Sequence, residues 1–98
     1  MANVIEFAKF KLLSEDKKDA WQTMSDQIAE QLKSVDGFIS RDAGYDAEGN
    51  GYCIVKWENK DAQAAFHKVL ETEMKEEMKA FAEIVDMKTM TGTKIELI

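Results

Sequence analysis

Two segments with helical apolar spacing, set among four strand-like runs, constrain this chain more than any other feature. Over 15–35 the side chains of Trp21, Met24, Ile28, Leu32 and Val35 recur at intervals of three and four, which is one stripe on a helix. Asp36-Gly37 stops that stripe, and Gly37 is free to take the positive φ of a helix C-terminus. A second helical segment carries Ala62, Ala65, Phe66, Val69 and Leu70, followed by a second series, Met74, Met78, Phe81 and Ile84. The phase drifts across Glu71-Thr72-Glu73, so a break or kink is expected there. Asn59 or Asp61 is placed to cap this segment, and Ser14 to cap the first, with Glu15 and Asp16 in the turn where a helix dipole favours acids.

The flanking runs read as strands. Residues 4–13 mix aromatic and β-branched side chains with charges at short period, 38–46 and 52–58 flank a loop (47–51) rich in Gly and Asn, and 85–98 form the last strand with Gly92 a candidate bulge. The order β-α-β-β-α-β over a single domain, 1–98, predicts an α+β, ferredoxin-like fold: a four-stranded antiparallel sheet with both crossover helices on one face.

That arrangement leaves the other face bare. Strand alternation divides Ile5 and Phe7 from Ala8, Phe10 and Leu12. It divides Cys53, Val55 and Trp57 from Tyr52, Ile54 and Lys56, and Val85, Met87, Ile95 and Leu97 from Met90 and Ile98. Apolar residues on both faces predict a homodimer that pairs sheet on sheet. The alternative is a monomer whose open face is solvated through Glu6, Arg41 and Lys56.

Composition narrows the partners. Nineteen acids against 13 bases give a net charge of −6, with scattered cations rather than a basic stripe, so nucleic acid and anionic membrane surfaces are not expected ligands. A single cysteine, Cys53, excludes an intramolecular disulfide and fits a reducing compartment. The first residues lack a signal-peptide pattern, and no apolar run approaches the ~20 residues of a membrane span. A cytoplasmic location is expected.

Two stretches carry a family pattern: Val55-Lys56-Trp57-Glu58 followed by Asn59-Lys60-Asp61-Ala62-Gln63-Ala64-Ala65-Phe66, and, upstream, Asp36-Gly37-Phe38-Ile39-Ser40-Arg41. In order and spacing they resemble the antibiotic biosynthesis monooxygenase family, whose members are dimeric α+β barrels. The resemblance covers almost the whole chain. It implies a small-molecule ligand and, for some members, oxidation of polyphenolic substrates by O₂ with no bound cofactor; other members degrade haem or act on small metabolites. Trp57 matches the family tryptophan. Quinone-forming members resemble one another in an asparagine four residues earlier, where this chain has Cys53. The Asn-Trp-His set of haem-degrading members has no counterpart here: Phe7-Ala8-Lys9 and Glu76 to Met78 occupy the corresponding stretches, so haem degradation is not expected.

The candidate residues each have a plainer account beside the functional one. Trp57 is either an aromatic wall for a flat substrate or a core side chain under the second helix. His67, the one histidine, suits a general base near neutral pH, but it follows the core residue Phe66 and so is expected to point to an edge or to solvent. Arg41 suits an anionic or phenolate oxygen, or an interface ion pair; Tyr45, on the Arg41 face, offers a hydroxyl or simply ends a packed hairpin. Cys53 lacks a local cation on its face, which favours an inert buried thiol over a reactive one. A metal site is not expected, because one histidine and one cysteine supply too few ligands.

Three functions follow as expectations. The first is a cofactor-independent monooxygenase, or a related enzyme, acting on a flat aromatic or quinone-like metabolite held by Trp57, Phe66, Tyr45, Arg41 and Cys53, with Trp57, His67 and Arg41 as catalytic candidates. The second is a non-catalytic dimer that binds a small molecule. The third is a purely structural dimer.

Overall fold

A computed structural model describes residues 2–98 of the protein. Strand β1 (Val4–Leu12) leads through a 3-10 turn (Glu15–Lys17) into helix α1 (Lys18–Leu32). Strands β2 (Phe38–Tyr45) and β3 (Asn50–Trp57) form a hairpin, helices α2 (Lys60–Glu73) and α3 (Lys75–Ala82) follow, and β4 (Val85–Glu96) closes the sheet. The strands are antiparallel in the order β2-β3-β1-β4. This is the expected α+β, ferredoxin-like topology.

Local chemistry explains the boundaries. Asn59, not Asp61, caps α2: its side chain accepts from the Ala62 N–H at 2.9 Å. Ser14 is extended ahead of the 3-10 turn, but its hydroxyl bonds the Asp16 carboxylate instead of capping a helix. The expected break falls at Met74 (φ −120°, ψ 38°), one residue beyond Glu71–Glu73. Helix α1 ends at Leu32, ahead of Val35, and turns through Gly37 at φ +84°. A Cβ at Gly37 would also strike the Ala62 side chain, so glycine is needed there both for conformation and for the approach of α2.

Strand β4 departs from the expected alternation. Lys9 pairs with Thr91 and Lys11 with Asp86, so Phe10 alone stands opposite 87–90. The bulge therefore lies there and not at Gly92, which pairs in register with Ala8. The Thr89 hydroxyl fills the interrupted ladder, accepting from the Lys11 N–H at 2.8 Å and donating to the Asp86 carbonyl at 2.7 Å. Because of the bulge, Val85 is buried under the helices while Ile95, expected on the same face, lies on the open one. A smaller shift at Ile39 lets both Phe38 and Arg41 face the helices.

The apolar core has two centres. At one, Phe10 meets Trp21 edge-on (4.9 Å, 86°) and Phe81 (5.3 Å, 81°), with Leu12 and Val85 beneath; Gly51 leaves the room that the Phe10 ring occupies. At the other, Trp57 packs against Phe66 (5.3 Å) and Phe38 (6.0 Å) over Leu32 and Val55.

Candidate functional site

Between these centres the helix face of the sheet changes character. Ala43, Cys53, Ala8 and Gly92 form one row across all four strands. Ala43 and Gly92 are exposed, and open space stands over Gly92. The next row toward Trp57 reads Arg41, Val55, Glu6, Lys94, three charges on the core side of a sheet. The small-residue row and the charged row thus lie side by side on the helix face, and the charged row is tied to α1 through Arg41 and Ser25 and to α2 through Glu6, Gln63 and His67.

Glu6 is the centre of the polar edge. The buried amide of Gln63 donates to its carboxylate at 2.6 Å, and His67 Nε2 bonds the same oxygen. Burial pushes the Glu6 carboxyl upward, but the hydrogen bond and charge of His67, the Gln63 amide and Lys94 outweigh it and hold the group below its ordinary value. The His67 imidazole is raised, first by its bond to Glu6, against the opposing effect of partial burial. The histidine side chain stays 42% exposed, so the pair is anchored on one side and open on the other. A surface recess of about 310 Å³ adjoins it, lined by Val4, Gln63, Lys94, Glu96 and the start of α2.

Arg41 marks the other side of Val55. Its Nη1 donates to the Ser25 carbonyl (3.0 Å) and hydroxyl (2.8 Å), fixing the guanidinium against α1. The remaining nitrogens, Nε and Nη2, are buried with no oxygen or nitrogen acceptor among the described residues, as is Trp57 Nε1. Burial raises the Cys53 thiol against the charge of Arg41 and a weak hydrogen bond from its guanidinium, so the sulfur stays protonated near neutrality. Sequence had assigned Cys53 no neighbouring cation; Arg41 supplies one diagonally across the β2–β3 ladder.

The structure distributes the expected site residues unevenly. Trp57, Phe66 and Cys53 share one cluster, with Trp57 fully buried. Arg41 lies beside Cys53, on the helix face rather than the solvated one. Tyr45 stands apart, 47% exposed, its ring 5.2 Å from the Lys18 ammonium. His67 does not simply turn to solvent; it reaches back to β1. Glu6, expected on the solvated open face, lies on the helix face and bonds α2; Ser25, Gln63 and Lys94 were not anticipated. A signal did exist for Glu6: it is the lone charge in the series Val4, Glu6, Ala8, Phe10, Leu12 on the core phase of β1. Among the described residues no three His, Cys, Asp or Glu side chains group as metal ligands, and no helix is long and apolar enough to cross a membrane.

No family model and no curated protein matches the sequence. Solved structures do match. SnoaB, a cofactor-independent oxygenase from Streptomyces nogalater, superposes with a TM-score of 0.78 at 13% identity, over 100% of this chain and 95% of that one. A Deinococcus radiodurans protein, provisionally described as an antibiotic biosynthesis monooxygenase, gives 0.76 at 18% identity over 97% and 92%. The fold is that of the antibiotic biosynthesis monooxygenases. A Nitrosomonas europaea protein of unknown function matches equally well, with a TM-score of 0.77 at 12% identity over 100% and 91%. An antibiotic biosynthesis monooxygenase-like fold is therefore a frame on which the chemistry must be argued from the side chains themselves.

Proposed function

We propose that the protein is a homodimeric, cofactor-independent oxygenase that deprotonates a flat phenolic or quinone-like metabolite and lets the resulting anion react with O₂. The observation that carries this reading is the Glu6–His67 pair beside the recess lined by Gln63 and Lys94. Glu6 holds Nε2, leaving Nδ1 to take an acidic C–H proton, and the carboxylate stabilises the imidazolium that forms. The carbanion adds O₂ through one-electron transfer and radical recombination. His67 returns the proton to the peroxide, which loses water. One CH₂ becomes C=O, four electrons leave carbon, and the two oxygen atoms end in product and in water. The dimer reading draws on the open face, where Ile5, Phe7, Tyr52 and Ile54 stand together and Ile95 is 44% exposed.

O₂ uptake with anthrone as probe tests the reaction. The acid limb of kcat/KM lies above 6.5, the ordinary imidazole value, because Glu6 raises His67; Glu6→Gln moves it down. His67→Gln lowers turnover by about 10²–10⁴-fold. Uptake that survives His67→Gln removes the base, and no uptake with anthrone or related phenols removes the oxygenase. A dimeric binding module without turnover is the second reading; it is favoured by Cys53, a protonated thiol where the family resemblance implies asparagine.

A further inference from the structure

We infer that Gln63 is a positioning residue: its buried amide holds the Glu6 carboxylate against His67 so that Nδ1 of the imidazole is left as the base. The task of the base rests on the oxygenase reading; the placement rests on hydrogen bonds alone. Among the described residues the buried polar side chains are Ser25 and Gln63. Each bonds one charge of the row on the helix face, Ser25 with Arg41 and Gln63 with Glu6. Gln63 stands where α2 faces the sheet, a position at which leucine would bury more apolar area, so the amide needs its bond. It lies one turn before His67 on α2, and the two side chains reach β1 together. The Gln63 amide donates to Glu6 Oε2 at 2.6 Å, and His67 Nε2 meets that same oxygen.

A carboxylate only accepts. Both neighbours must then present N–H, which turns the amide NH₂ toward Glu6 and puts the proton of the neutral imidazole on Nε2. Nδ1 keeps its lone pair. A protonated Glu6 would reverse this: its O–H would donate to Nε2, the ring proton would sit on Nδ1, and no base would remain. An oxygen that already accepts from Gln63 is a poor seat for that proton. The other charges around the pair act without direction. Lys94 on β4 favours the carboxylate and opposes the imidazolium, and Glu71 on α2 favours the imidazolium. Arg41 lies across Val55 on β2, and the Cys53 thiol is protonated. Among the described residues none of these four forms a hydrogen bond or ion pair with Glu6 or His67, so none of them selects a nitrogen. Gln63 is the one side chain besides His67 that bonds the carboxylate.

NMR of ¹⁵N-labelled protein tests the role, in the wild type and in Gln63→Met, which keeps the side-chain length and removes the donor. His67 is the only histidine, so its ring titration is assigned without ambiguity. In the wild type the neutral ring carries its proton on Nε2, and one Gln63 side-chain amide proton shifts with the His67 midpoint, because the two N–H groups share an oxygen. In Gln63→Met the His67 midpoint falls toward 6.5 as the carboxylate loses its placement, and the Nδ1–H form gains. A donor that merely competed with His67 for the oxygen would raise the midpoint when removed, and one that merely filled space would leave it unmoved; either result overturns the inference. So does a wild-type ring with its proton on Nδ1, or a Gln63 amide that ignores the His67 titration, and both are read even where Gln63→Met does not fold. With anthrone, kcat in Gln63→Met falls about 10–100-fold. The two proposals fail separately: these NMR results without anthrone uptake keep the positioning and drop the oxygenase, and uptake with an unmoved midpoint does the reverse.

Discussion

The two faces of the sheet are made by the same four strands and end in opposite states. Toward the helices, Val4, Phe10, Val55 and Trp57 are at most 6% exposed, and charge enters in the row Arg41–Val55–Glu6–Lys94 and, at the sheet edge, at Glu96 opposite Val4. On the open face Phe7 leans on Tyr52 at 6.0 Å, Lys9 covers the same ring at 5.8 Å, and Ile95 remains largely exposed. One face is completed within the chain and keeps charge only at particular positions; the other carries apolar area that the chain alone does not cover. The contrast teaches that polar groups on the closed face need a reason, since they displace core, while apolar groups on the open face need a partner.

The sharpest way to break the contrast is to truncate neighbours on opposite faces of β3. Trp57→Ala should cost about 3–5 kcal/mol, the range for a fully buried large aromatic. Ile54→Ala, measured at the lowest protein concentration that urea unfolding allows, should cost less than half of that. Equal losses would mean that both faces are closed to the same degree in one chain.

Charging the open face is next in size. Phe7→Glu combined with Ile54→Glu sets carboxylates at a directly paired position of β1 and β3. In sedimentation velocity the dimer should weaken by about 100-fold or more, since each isolated carboxylate is costly to bury, while far-UV circular dichroism stays native. A wild-type monomer would remove the dimer and leave the apolar open face unexplained.

How far these faces could be read from sequence differs for physical reasons. Apolar periodicity is local, so the stripes holding Trp21 and Leu32, the turn at Gly37 and the split of α2 from α3 followed from spacing alone. Alternation on β4 failed, because a bulge depends on what the partner strand does at Phe10. Ala65, expected on the α2 stripe, is exposed, and Gln63 is buried instead, because that face of α2 packs over Glu6 rather than a purely apolar strand. The site was half legible. Arg41 and His67 stood out by residue type, but the link from His67 to Glu6 spans 61 positions, and no local pattern encodes it.

A cap mutation tests the frame of the closed face at lower cost. Asn59→Ala leaves the Ala62 N–H without its side-chain acceptor, and thermal unfolding should show a loss of about 1 kcal/mol. A loss below the error of the measurement would mean that α2 is held by packing alone.

The smallest effect sharpens the site itself. His67 has a raised value in the folded protein, so its contribution is complete below about 6.5 and is lost as pH rises through the folded value. Glu6 has a lowered value, so its contribution is present above about 4.5 and is lost as pH falls through the folded value. The pair therefore stabilises fully between those two ordinary values and fades on either side. The imidazole is 42% and the carboxylate 20% exposed, so solvent screening holds the amplitude to under ~1 kcal/mol. Chemical denaturation across pH 3–9 should give this plateau, and Glu6→Gln should flatten both shoulders together. A variant that removes only the acid shoulder would show that His67 owes its raised value to Glu71, the minor contributor, and that the two groups do not act as a pair.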